Sequence, residues 1–433
     1  MNAPPSLSLY DGSILNSFGS AVVPAKVHDG SVKLINFVIV ENSLTPILGV
    51  NASVKLGFLK VNSKNVYKVQ KSVDWDALLK SYDNVFKNEL GTIKGVKVSL
   101  RLKDDAVPVF SRARPVPYAL REKVEVQINR LLSQDSIEKV DRSEWASPCV
   151  NVRKPDGSIR MCSDFSQTIN PVLVNDQYPF PTTDELFHRM SNTAFFGKYD
   201  MRTAFEQLVI DERSRDMLTI NTHLGLFRHK RLPYGCSASP AIMQRTIEYI
   251  LRDVVPKAKK LMPEAELRLC MYLDDICVAS NTEEGLFVLT KVLLAELDKH
   301  GARLNRAKCV PFAKKIKFLG HVLSENGLEA DLEKIECIQS AFPRNKSELR
   351  SILGVLQYYG KFCPKMSDII APLNNLLKED IPFEMTPACV TALDNVKKTL
   401  TEAPILSLFD PSRKTVVQAD SSPVALGAVL SPR

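Results

Sequence analysis

The sequence predicts an α+β fold spread over several domains, because its secondary-structure pattern changes along the chain. Residues 1–70 contain β-branched runs, SAVVPAKV and VKLINFVIV, separated by Gly, Asp and His. Residues 101–325 mix helical periodicity with strand-like runs, and residues 326–405 are mostly helical. From residue 406 the chain returns to strand-like alternation in TVVQADSSPVALGAVLS. At 433 residues it is also too long for one compact core.

Apolar spacing places the principal helices. Residues 118–134 carry apolar side chains at helical spacing, and residues 237–251 form a second candidate helix. Three further helices are predicted within residues 332–400. Residues 71–100 are interpreted as a linker that contains a charged, helical connector.

Composition limits the class of protein and of partner. The formal net charge of +8 suits a polyanionic partner such as nucleic acid, although many basic proteins bind no nucleic acid. Nine cysteines without CxxC pairs argue against a zinc site and a disulfide framework, and favour reduced intracellular thiols. Neither a secretory signal nor an apolar run of about eighteen residues is present, so we expect a soluble protein without a membrane span.

The sharpest chemical feature is an acidic pair inside an apolar strand-like run, MYLDDICVAS. Two like charges in such a run are costly unless a cation compensates them. A hairpin that turns at Leu273–Asp275 would lift the carboxylates of Asp274 and Asp275 to the tip of a sheet, where a divalent metal could neutralise them. A solvent-exposed turn with two aspartates is an equally good interpretation of the pair alone.

A third carboxylate favours the metal interpretation. Asp200 ends the strand-like run of FFGKYDMRTAFEQLVI, just before a turn. Mg²⁺ is usually held by one or two carboxylates and substrate phosphates. Two ions about 3.5–4 Å apart can activate a hydroxyl and stabilise a pyrophosphate leaving group. Spacing alone does not show that the three aspartates meet.

These aspartates lie in segments that resemble the motifs of reverse transcriptases. YLDD resembles the YxDD box, and KYDMRTAFEQL resembles the first metal-binding motif. RLPYGCSASPAIMQR is similar to LPxGxxxxPxxFQ, GARLNRAKC to the glycine-to-lysine motif, and KFLGHVLSENGL to the primer grip. WASPCVNVRKPDGSIRMCSDFSQTIN resembles the fingers, and ELRSILGVLQYYGKFCPKMS the thumb and connection of gypsy-class LTR retrotransposons. The order of these segments along the chain makes the resemblance specific.

The resemblance implies a right-hand polymerase with fingers and palm in residues 101–325 and thumb and connection in residues 326–405. The expected function is that of an RNA-directed DNA polymerase that adds deoxynucleotides to a primer by two-metal nucleotidyl transfer. Its expected cofactor is a pair of Mg²⁺ or Mn²⁺ ions. Its expected partners are an RNA template, a DNA primer or hybrid duplex, and dNTPs. The lifestyle of such elements suggests cytoplasmic particles with later nuclear access.

The resemblance also assigns residues. It gives catalysis and metal binding to Asp200, Asp274 and Asp275. The residues that it implies at the nucleotide are Lys154, Arg160, Met201 (through its carbonyl), Phe205, Tyr234, Gly235 and Lys308, and those of the primer grip are Leu319 and Gly320.

Several of these assignments have simpler alternatives. Phe205 matches the steric-gate aromatic that excludes a ribose 2′-hydroxyl, but a core phenylalanine is the alternative. Lys154 and Arg160 flank the PDG turn and suit phosphate recognition, against the alternative of a solvated basic face. Lys308 is a candidate acid for pyrophosphate, or a surface lysine. Leu319 and Gly320 are equally compatible with ordinary strand core.

Both ends resemble fragments of other domains. Residues 1–70 are similar to the distal half of a retropepsin-like protease without its catalytic triplet, and an unrelated small β-domain is the alternative. Residues 406–433 resemble the first strand of a ribonuclease H, in which Asp420 matches the first metal-binding aspartate. We therefore expect neither protease nor ribonuclease H activity in this chain, and a longer polyprotein as its source.

One departure from the family concerns the interval between Gln244 and Tyr272. The segment VPKAKKLMPEAELRL makes it longer than the resemblance leads us to expect, and a loop insertion is the prediction. A non-catalytic nucleic-acid-binding relic, or a domesticated retroelement protein, is the competing function. The intact aspartates favour turnover over the relic.

Overall fold

A computed structural model describes most of the chain. The described residues are 7–8, 14–15, 17–26, 31–40, 50–56, 61–62, 65–66, 73–153, 157–174, 178–363, 365–401, 405–408, 414–421 and 426–432. The chain divides into two compact units, Met1–Val73 and Asp74–Arg433.

The first unit is built mainly from antiparallel strand pairs. Its longest pair joins β3 to β4, with Ala21 opposite Phe37. This agrees with the β-rich character predicted for residues 1–70. Its elements are β1 Leu7–Ser8, β2 Ile14–Leu15, β3 Ser17–Lys26, β4 Val32–Val40, α1 Val50–Lys55, β5 Val61–Asn62 and β6 Asn65–Val66.

The second unit alternates helices and strands, as expected for its α+β class. Its strands are β7 Lys97–Val98, β8 Ile137–Val140, β9 Ser147–Arg153, β10 Ile159–Ser163, β11 Phe195–Asp200, β12 Val209–Ile210, β13 Thr219–Thr222, β14 Gly225–His229, β15 Leu267–Tyr272, β16 Asp275–Ser280, β17 Val310–Ala313, β18 Lys315–Phe318, β19 His321–Ser324, β20 Gly327–Ala330, β21 Thr415–Ser421 and β22 Leu426–Pro432. Its α-helices are α2 Trp75–Ser81, α3 Tyr118–Ser133, α4 Thr183–Arg189, α5 Glu212–Arg215, α6 Ser239–Leu251, α7 Val254–Leu261, α8 Glu283–Lys299, α9 Leu332–Gln339, α10 Lys346–Tyr358, α11 Met366–Asn375 and α12 Pro387–Thr401.

A five-stranded sheet in the order β10-β9-β13-β14-β8 forms one lobe of the second unit. Strands β9 and β10 pair antiparallel, with Arg160 opposite Val152, and make the predicted hairpin around the PDG turn. Helix α3 contributes Val124, Ile128 and Leu131 to the core beside this sheet. Their spacing of three and four residues keeps them on one helix face.

The central sheet has the order β15-β16-β11-β17 and is covered on both faces. Along β16, Ile276 and Val278 belong to one hydrophobic core, whereas Cys277 and Ala279 belong to the other. Successive side chains on a strand point to opposite faces, so a strand buried on both sides is continuously apolar. This explains why Asp275 stands at the very start of the strand and not within it.

Helix α8 packs on one face of the central sheet. Leu286, Leu289, Leu293 and Leu297 are fully buried along it. The side chain of Thr282 accepts a hydrogen bond from the Gly285 backbone N–H and caps its first turn.

The loop predicted after α6 is wrong, because Val254–Leu261 forms helix α7, whereas the insertion itself stays a prediction. Val254 and Ala258, four residues apart, are both fully buried against the core. An apolar pair at this spacing gives a short helix a face to bury. The Nζ atom of Lys259 then donates to the Ala265 carbonyl and closes the turn towards β15.

The C-terminal part combines a small sheet with four helices. Strands β18, β19 and β20 form an antiparallel sheet, and α9–α12 share a second core with one face of the central sheet. Leu349 and Leu356 of α10, with Leu373 of α11 and Val396 of α12, are fully buried in that core. Strands β21 and β22 form a separate hairpin. Among the described residues, no helix is both long and apolar enough to span a bilayer.

Candidate active site

Two of the three predicted carboxylates stand directly opposite each other on the central sheet. Asp200 ends β11, Asp275 begins β16, and the two residues are cross-strand partners in the antiparallel register. Directly opposed residues have Cβ atoms about 4.5–5.5 Å apart. Asp274 occupies the two-residue turn between β15 and β16, and its carbonyl accepts a hydrogen bond of 2.8 Å from the Met201 N–H. The structure therefore brings together the backbones of all three aspartates.

A buried glutamine holds this turn. Gln244 of α6 is fully buried, and its Oε1 atom accepts a hydrogen bond of 2.8 Å from the Leu273 N–H. Its Nε2 atom donates to the Met271 carbonyl at 3.2 Å. Leu273 adopts a left-handed backbone with φ of 54°, so the amide fixes a turn that a leucine rarely takes. The sequence interpretation gave Gln244 no role, although it ends the LPxGxxxxPxxFQ-like segment.

Two lysines engage two of the carboxylates. Lys198 Nζ lies 3.0 Å from Asp275 Oδ1, and Lys308 Nζ lies 3.3 Å from Asp200 Oδ2. Lys198 precedes Asp200 by two residues on β11 and so shares its face of the sheet. Lys198 also lies opposite Cys277, which makes Asp275 its diagonal neighbour across the strands. The sequence interpretation missed Lys198, because only the strand register reveals this neighbour.

Asp274 has neither of these counter-ions at contact distance. Its Oδ1 atom is buried and has no hydrogen-bond partner among the described residues. Burial first, and then the charges of Asp200 and Asp275, raise the pKa of Asp274 to about 6. The charges of Lys308 and Arg160 act in the opposite direction and lower this pKa. Asp274 is thus a carboxyl that lacks a compensating cation.

The donor set fits divalent cations. The family resemblance implies two ions at these aspartates, and the buried Oδ1 atom of Asp274, which has no hydrogen-bond partner among the described residues, is an oxygen donor of the kind that Mg²⁺ prefers. Within the described ranges, no three His, Cys, Asp or Glu side chains are placed so that they could hold a metal ion together. Asp200 and Asp275 instead each have a lysine as a cationic partner. Lys198 and Lys308 would therefore compete with a divalent cation for the charge of these carboxylates.

A cavity of about 450 Å³ opens beside the aspartates. It is lined by residues of α3, β10 and the segment that follows β11. The predicted residues that line it are Arg160, Asp200, Met201, Tyr234, Asp274 and Lys308. Asp275, Phe205 and Gly235 do not line it. Other charged residues on its wall are Arg130, Arg202, Glu206 and Arg231, none of which the sequence interpretation assigned.

Phe205 packs against Tyr234, which lines this cavity. The Tyr234 ring lies 4.8 Å from the Phe205 ring, and the Arg160 guanidinium lies 5.0 Å from the Tyr234 centroid on the cavity wall. Phe205 is 8% exposed, so the neighbouring tyrosine supplies the aromatic surface of the cavity. The steric-gate role of Phe205 stays a prediction, and Tyr234 is the more accessible ring.

Gly235 allows the backbone after Tyr234 to pack closely against β10. It has φ of +91°, and a Cβ atom there would lie 2.6 Å from the Ser163 carbonyl oxygen. Its own carbonyl accepts a hydrogen bond of 2.9 Å from Asn170 Nδ2. Any larger residue would therefore push the Tyr234 segment away from β10.

The predicted primer-grip residues form a second two-residue turn, between β18 and β19. Leu319 and Gly320 both have positive φ, of 44° and 69°. The Tyr358 hydroxyl donates to the Leu319 carbonyl and the Tyr359 hydroxyl to the Gly320 carbonyl, both at 2.7 Å. The pair is therefore a turn and not strand core. Its contact with a primer stays a prediction.

The side chains of two predicted residues lie outside the described part of the chain. Lys154 lies outside the described residues, in the gap between β9 and β10. Asp420 lies on β21 opposite Gly427, in the hairpin near the end of the chain, and its side chain lies outside the description.

Comparison with known families agrees with the motif order. A family described as "Reverse transcriptase (RNA-dependent DNA polymerase)" matches residues 152–323. A second family, described as an "RNase H-like domain found in reverse transcriptase", matches residues 385–433. The second match begins within the segment predicted as thumb and connection, ahead of the predicted boundary at residue 406. The predicted lack of ribonuclease H activity stays a prediction.

Comparison with curated proteins adds the genetic context. Over 342 residues the chain is 31% identical to the Transposon Tf2-3 and Tf2-4 polyproteins of Schizosaccharomyces pombe (strain 972). The aligned region covers 79% of this chain, which spans about a quarter of each polyprotein (25%).

Solved structures agree on the fold. The foamy viral protease-reverse transcriptase dRH, in complex with double-stranded DNA, superposes with a TM-score of 0.74 at 18% identity, over 99% of this chain and 76% of that one. The foamy viral protease-reverse transcriptase in complex with an RNA/DNA hybrid superposes with a TM-score of 0.71 at 20% identity, over 99% and 61% of the two chains. These similarities confirm the right-hand polymerase fold. We use palm sheet below as a name for the central sheet β15-β16-β11-β17.

The motif order, the fold and the similar proteins all point to a reverse transcriptase. The resemblance to gypsy-class LTR retrotransposons is confirmed by these comparisons. The chain thus carries a reverse transcriptase domain over residues 152–323 and is similar to the Transposon Tf2 polyproteins.

Proposed function

We propose that this chain is an RNA-directed DNA polymerase that extends a primer with dNTPs by two-metal nucleotidyl transfer. The observation that carries the proposal is the convergence of Asp200, Asp274 and Asp275 at one edge of the palm, beside an open cavity. The simpler interpretation is that Asp274 and Asp275 are only an exposed pair of turn aspartates. That interpretation explains neither the position of Asp200 opposite Asp275 nor the burial of Asp274 Oδ1 without a hydrogen-bond partner.

The cofactor of the proposed reaction is a pair of Mg²⁺ or Mn²⁺ ions held by the three aspartates. When bound, such ions promote attack by the primer 3′-hydroxyl and offset the negative charge that develops on the pyrophosphate. The Met201 carbonyl is proposed as an additional oxygen ligand, since Met201 lines the cavity next to Asp200. These are hard oxygen donors, as Mg²⁺ prefers.

The protein's own groups then bind and orient the nucleotide. Arg160, held over the Tyr234 ring, is placed to contact the triphosphate. Tyr234, backed by Phe205, presents a flat surface to the sugar. Lys308 lies on the cavity wall beside Asp200 and is the proposed donor of a proton to the leaving pyrophosphate.

The nucleic-acid partners follow from charge and from the related structures. The net charge of +8 favours a polyanion. The related foamy viral enzymes were captured with double-stranded DNA and with an RNA/DNA hybrid. We propose an RNA template with a DNA primer for this chain, and binding that weakens steeply as salt increases. We also keep residues 101–325 as fingers and palm and residues 326–405 as thumb and connection.

The test is primer extension on an RNA template with Mg²⁺ or Mn²⁺, comparing the unmodified chain with Asp274→Asn. We expect the substitution to abolish dNTP incorporation, because it removes one carboxylate from the metal set. Duplex binding, measured by fluorescence anisotropy, should be retained.

Two outcomes would contradict the proposal. Equal extension by both proteins would refute the metal assignment. Tight duplex binding without extension by either protein would favour the non-catalytic relic.

A further inference from the structure

A second cavity, of about 270 Å³, adjoins the one beside the aspartates. The two share Arg130, Arg202 and Thr203 on their walls. The second cavity extends from these residues to Asn88, Leu90 and the other residues of its wall, Glu89 and Gln134. The two cavities therefore meet at a common wall formed by Arg130, Arg202 and Thr203, and Asp200 lines the first of them.

The chemistry of the shared wall is cationic. Arg130 is exposed on α3, whereas Arg202 is half-buried two residues after Asp200. The Nε atom of Arg202 is buried and has no hydrogen-bond partner among the described residues. A guanidinium has five N–H donors and no acceptor, so it is satisfied by anionic or carbonyl oxygens. Glu89 is the one carboxylate on the described wall of the second cavity.

The backbone of Arg202 is fixed from behind by another buried amide. The Nε2 atom of Gln207, which is fully buried, donates to the Arg202 carbonyl at 2.6 Å and to the Arg303 carbonyl at 2.9 Å. The Arg202 N–H donates to the Arg303 carbonyl at 3.0 Å. Gly91 permits this packing, because a Cβ atom there would lie 2.5 Å from Gln207 Oε1. The guanidinium thus extends from a rigid support.

We propose that the second cavity is a subsite for inorganic pyrophosphate, in which Arg130 and Arg202 receive the leaving group as it departs from the aspartates. This inference rests on the proposed polymerase function, which releases one pyrophosphate when the primer oxygen forms a bond to the α-phosphorus and the bond from that phosphorus to the β-phosphate oxygen breaks. Two guanidiniums match the multiple anionic oxygens of pyrophosphate.

The test compares pyrophosphate with dNTP in the Arg202→Met variant. We expect the affinity of the full chain for inorganic pyrophosphate, measured by calorimetry without nucleic acid, to fall about tenfold or more, since charge-assisted hydrogen bonds are lost. In the reverse reaction the KM for pyrophosphate should rise by a similar factor, and more than the KM for dNTP rises in extension. Arg202→Lys should restore part of the affinity.

Arg303→Met is the matched control. Its Nε atom is also buried and without a partner, but Arg303 lines a different cavity. We expect its pyrophosphate affinity to stay within about twofold of the unmodified chain. Arg130→Met, at an exposed helical position, repeats the test if Arg202→Met fails to fold.

Three outcomes would overturn the subsite: unchanged pyrophosphate affinity in both arginine variants, an equal loss in Arg303→Met, or parallel losses for pyrophosphate and dNTP. The last would assign Arg202 to the triphosphate site itself. Failure of the polymerase proposal is distinguishable, because calorimetry requires no turnover. Arginine-dependent pyrophosphate binding by a chain that never extends a primer would refute the polymerase and leave the subsite in place.

Discussion

The palm turn at Leu273–Asp274 and the turn at Leu319–Gly320 share one design and differ in their supports. Each joins antiparallel strands by two residues and places a leucine at positive φ, of 54° and 44° respectively. In the palm turn one fully buried amide, that of Gln244, supports the backbone. In the second turn two tyrosine hydroxyls of the α10 region support it from the side.

The difference follows from what each turn carries. The palm turn presents a carboxylate whose position must be fixed to within a fraction of an ångström, so its support is buried and excluded from water. The second turn, Leu319–Gly320, carries no charged side chain, and one of its supports, Tyr358, is 42% exposed. An exposed support such as Tyr358 can change its conformation more easily than a fully buried amide.

Substitution of Gln244 by Leu should produce the largest effect that distinguishes the turns. The Leu273 N–H would lose its partner, at a cost of about 1–3 kcal/mol, and Asp274 would shift from its place. Because a misplacement of about 1 Å can cost about a hundredfold in rate, we expect a loss of this order in kcat for primer extension. Duplex affinity should change little.

Thr246→Val is the control, since Thr246 is buried on the same helix but donates to the Ile242 carbonyl of its own helix. It should extend primers within about twofold of the unmodified chain. Full activity in Gln244→Leu would show that the palm turn keeps its conformation without the hydrogen bonds of Gln244.

Substitution of Lys198 by Met should give an intermediate effect, confined to the palm. The ammonium of Lys198 occupies Asp275 at 3.0 Å and competes with a divalent cation for it. We expect the Mg²⁺ concentration for half-maximal extension to fall about threefold to tenfold, because the competitor is gone. A magnesium titration of primer extension measures this.

Lys315→Met provides the comparison, because Lys315 pairs with Glu329 at 2.8 Å, outside the palm sheet. Its magnesium dependence should match that of the unmodified chain. A higher Mg²⁺ requirement in Lys198→Met would mean that Lys198 positions Asp275 and does not compete for it.

Substitution of Tyr358 by Phe should have the smallest effect. One hydroxyl that donates to the Leu319 carbonyl is lost, which is worth about 1 kcal/mol, while Tyr359 still supports Gly320. We expect primer–template affinity to fall about threefold to fivefold with little change in kcat, as measured by anisotropy and by single-turnover extension.

Tyr249→Phe removes the hydroxyl of an exposed tyrosine on α6 and should bind duplex normally. A large loss of kcat in Tyr358→Phe would show that the second turn acts in the chemical step, which would erase the contrast between the two turns.

The amino-acid sequence by itself determined the class of fold and predicted which carboxylates form the candidate site. Asp274 and Asp275 interrupt an apolar run whose strand-like pattern requires a turn at that point, and β16 begins at Asp275. Helices α3 and α6 follow from apolar spacing, because one-sided burial leaves a periodic trace in the sequence. The apolar pattern of helix α7 is weaker, because only two of its residues are buried, and the segment was predicted as a loop.

Tertiary structure alone decided which groups act on those carboxylates. Lys198 contacts Asp275 because the register of β11 and β16 makes them neighbours. Gln244 of α6 accepts a hydrogen bond from the turn residue Leu273. Tyr234, which is distant in sequence from Phe205, packs against its ring. Arg130 and Arg202 share a wall although they are distant in sequence. Local pattern records which side of an element is buried, but the partner of a side chain depends on long-range packing that no single segment encodes.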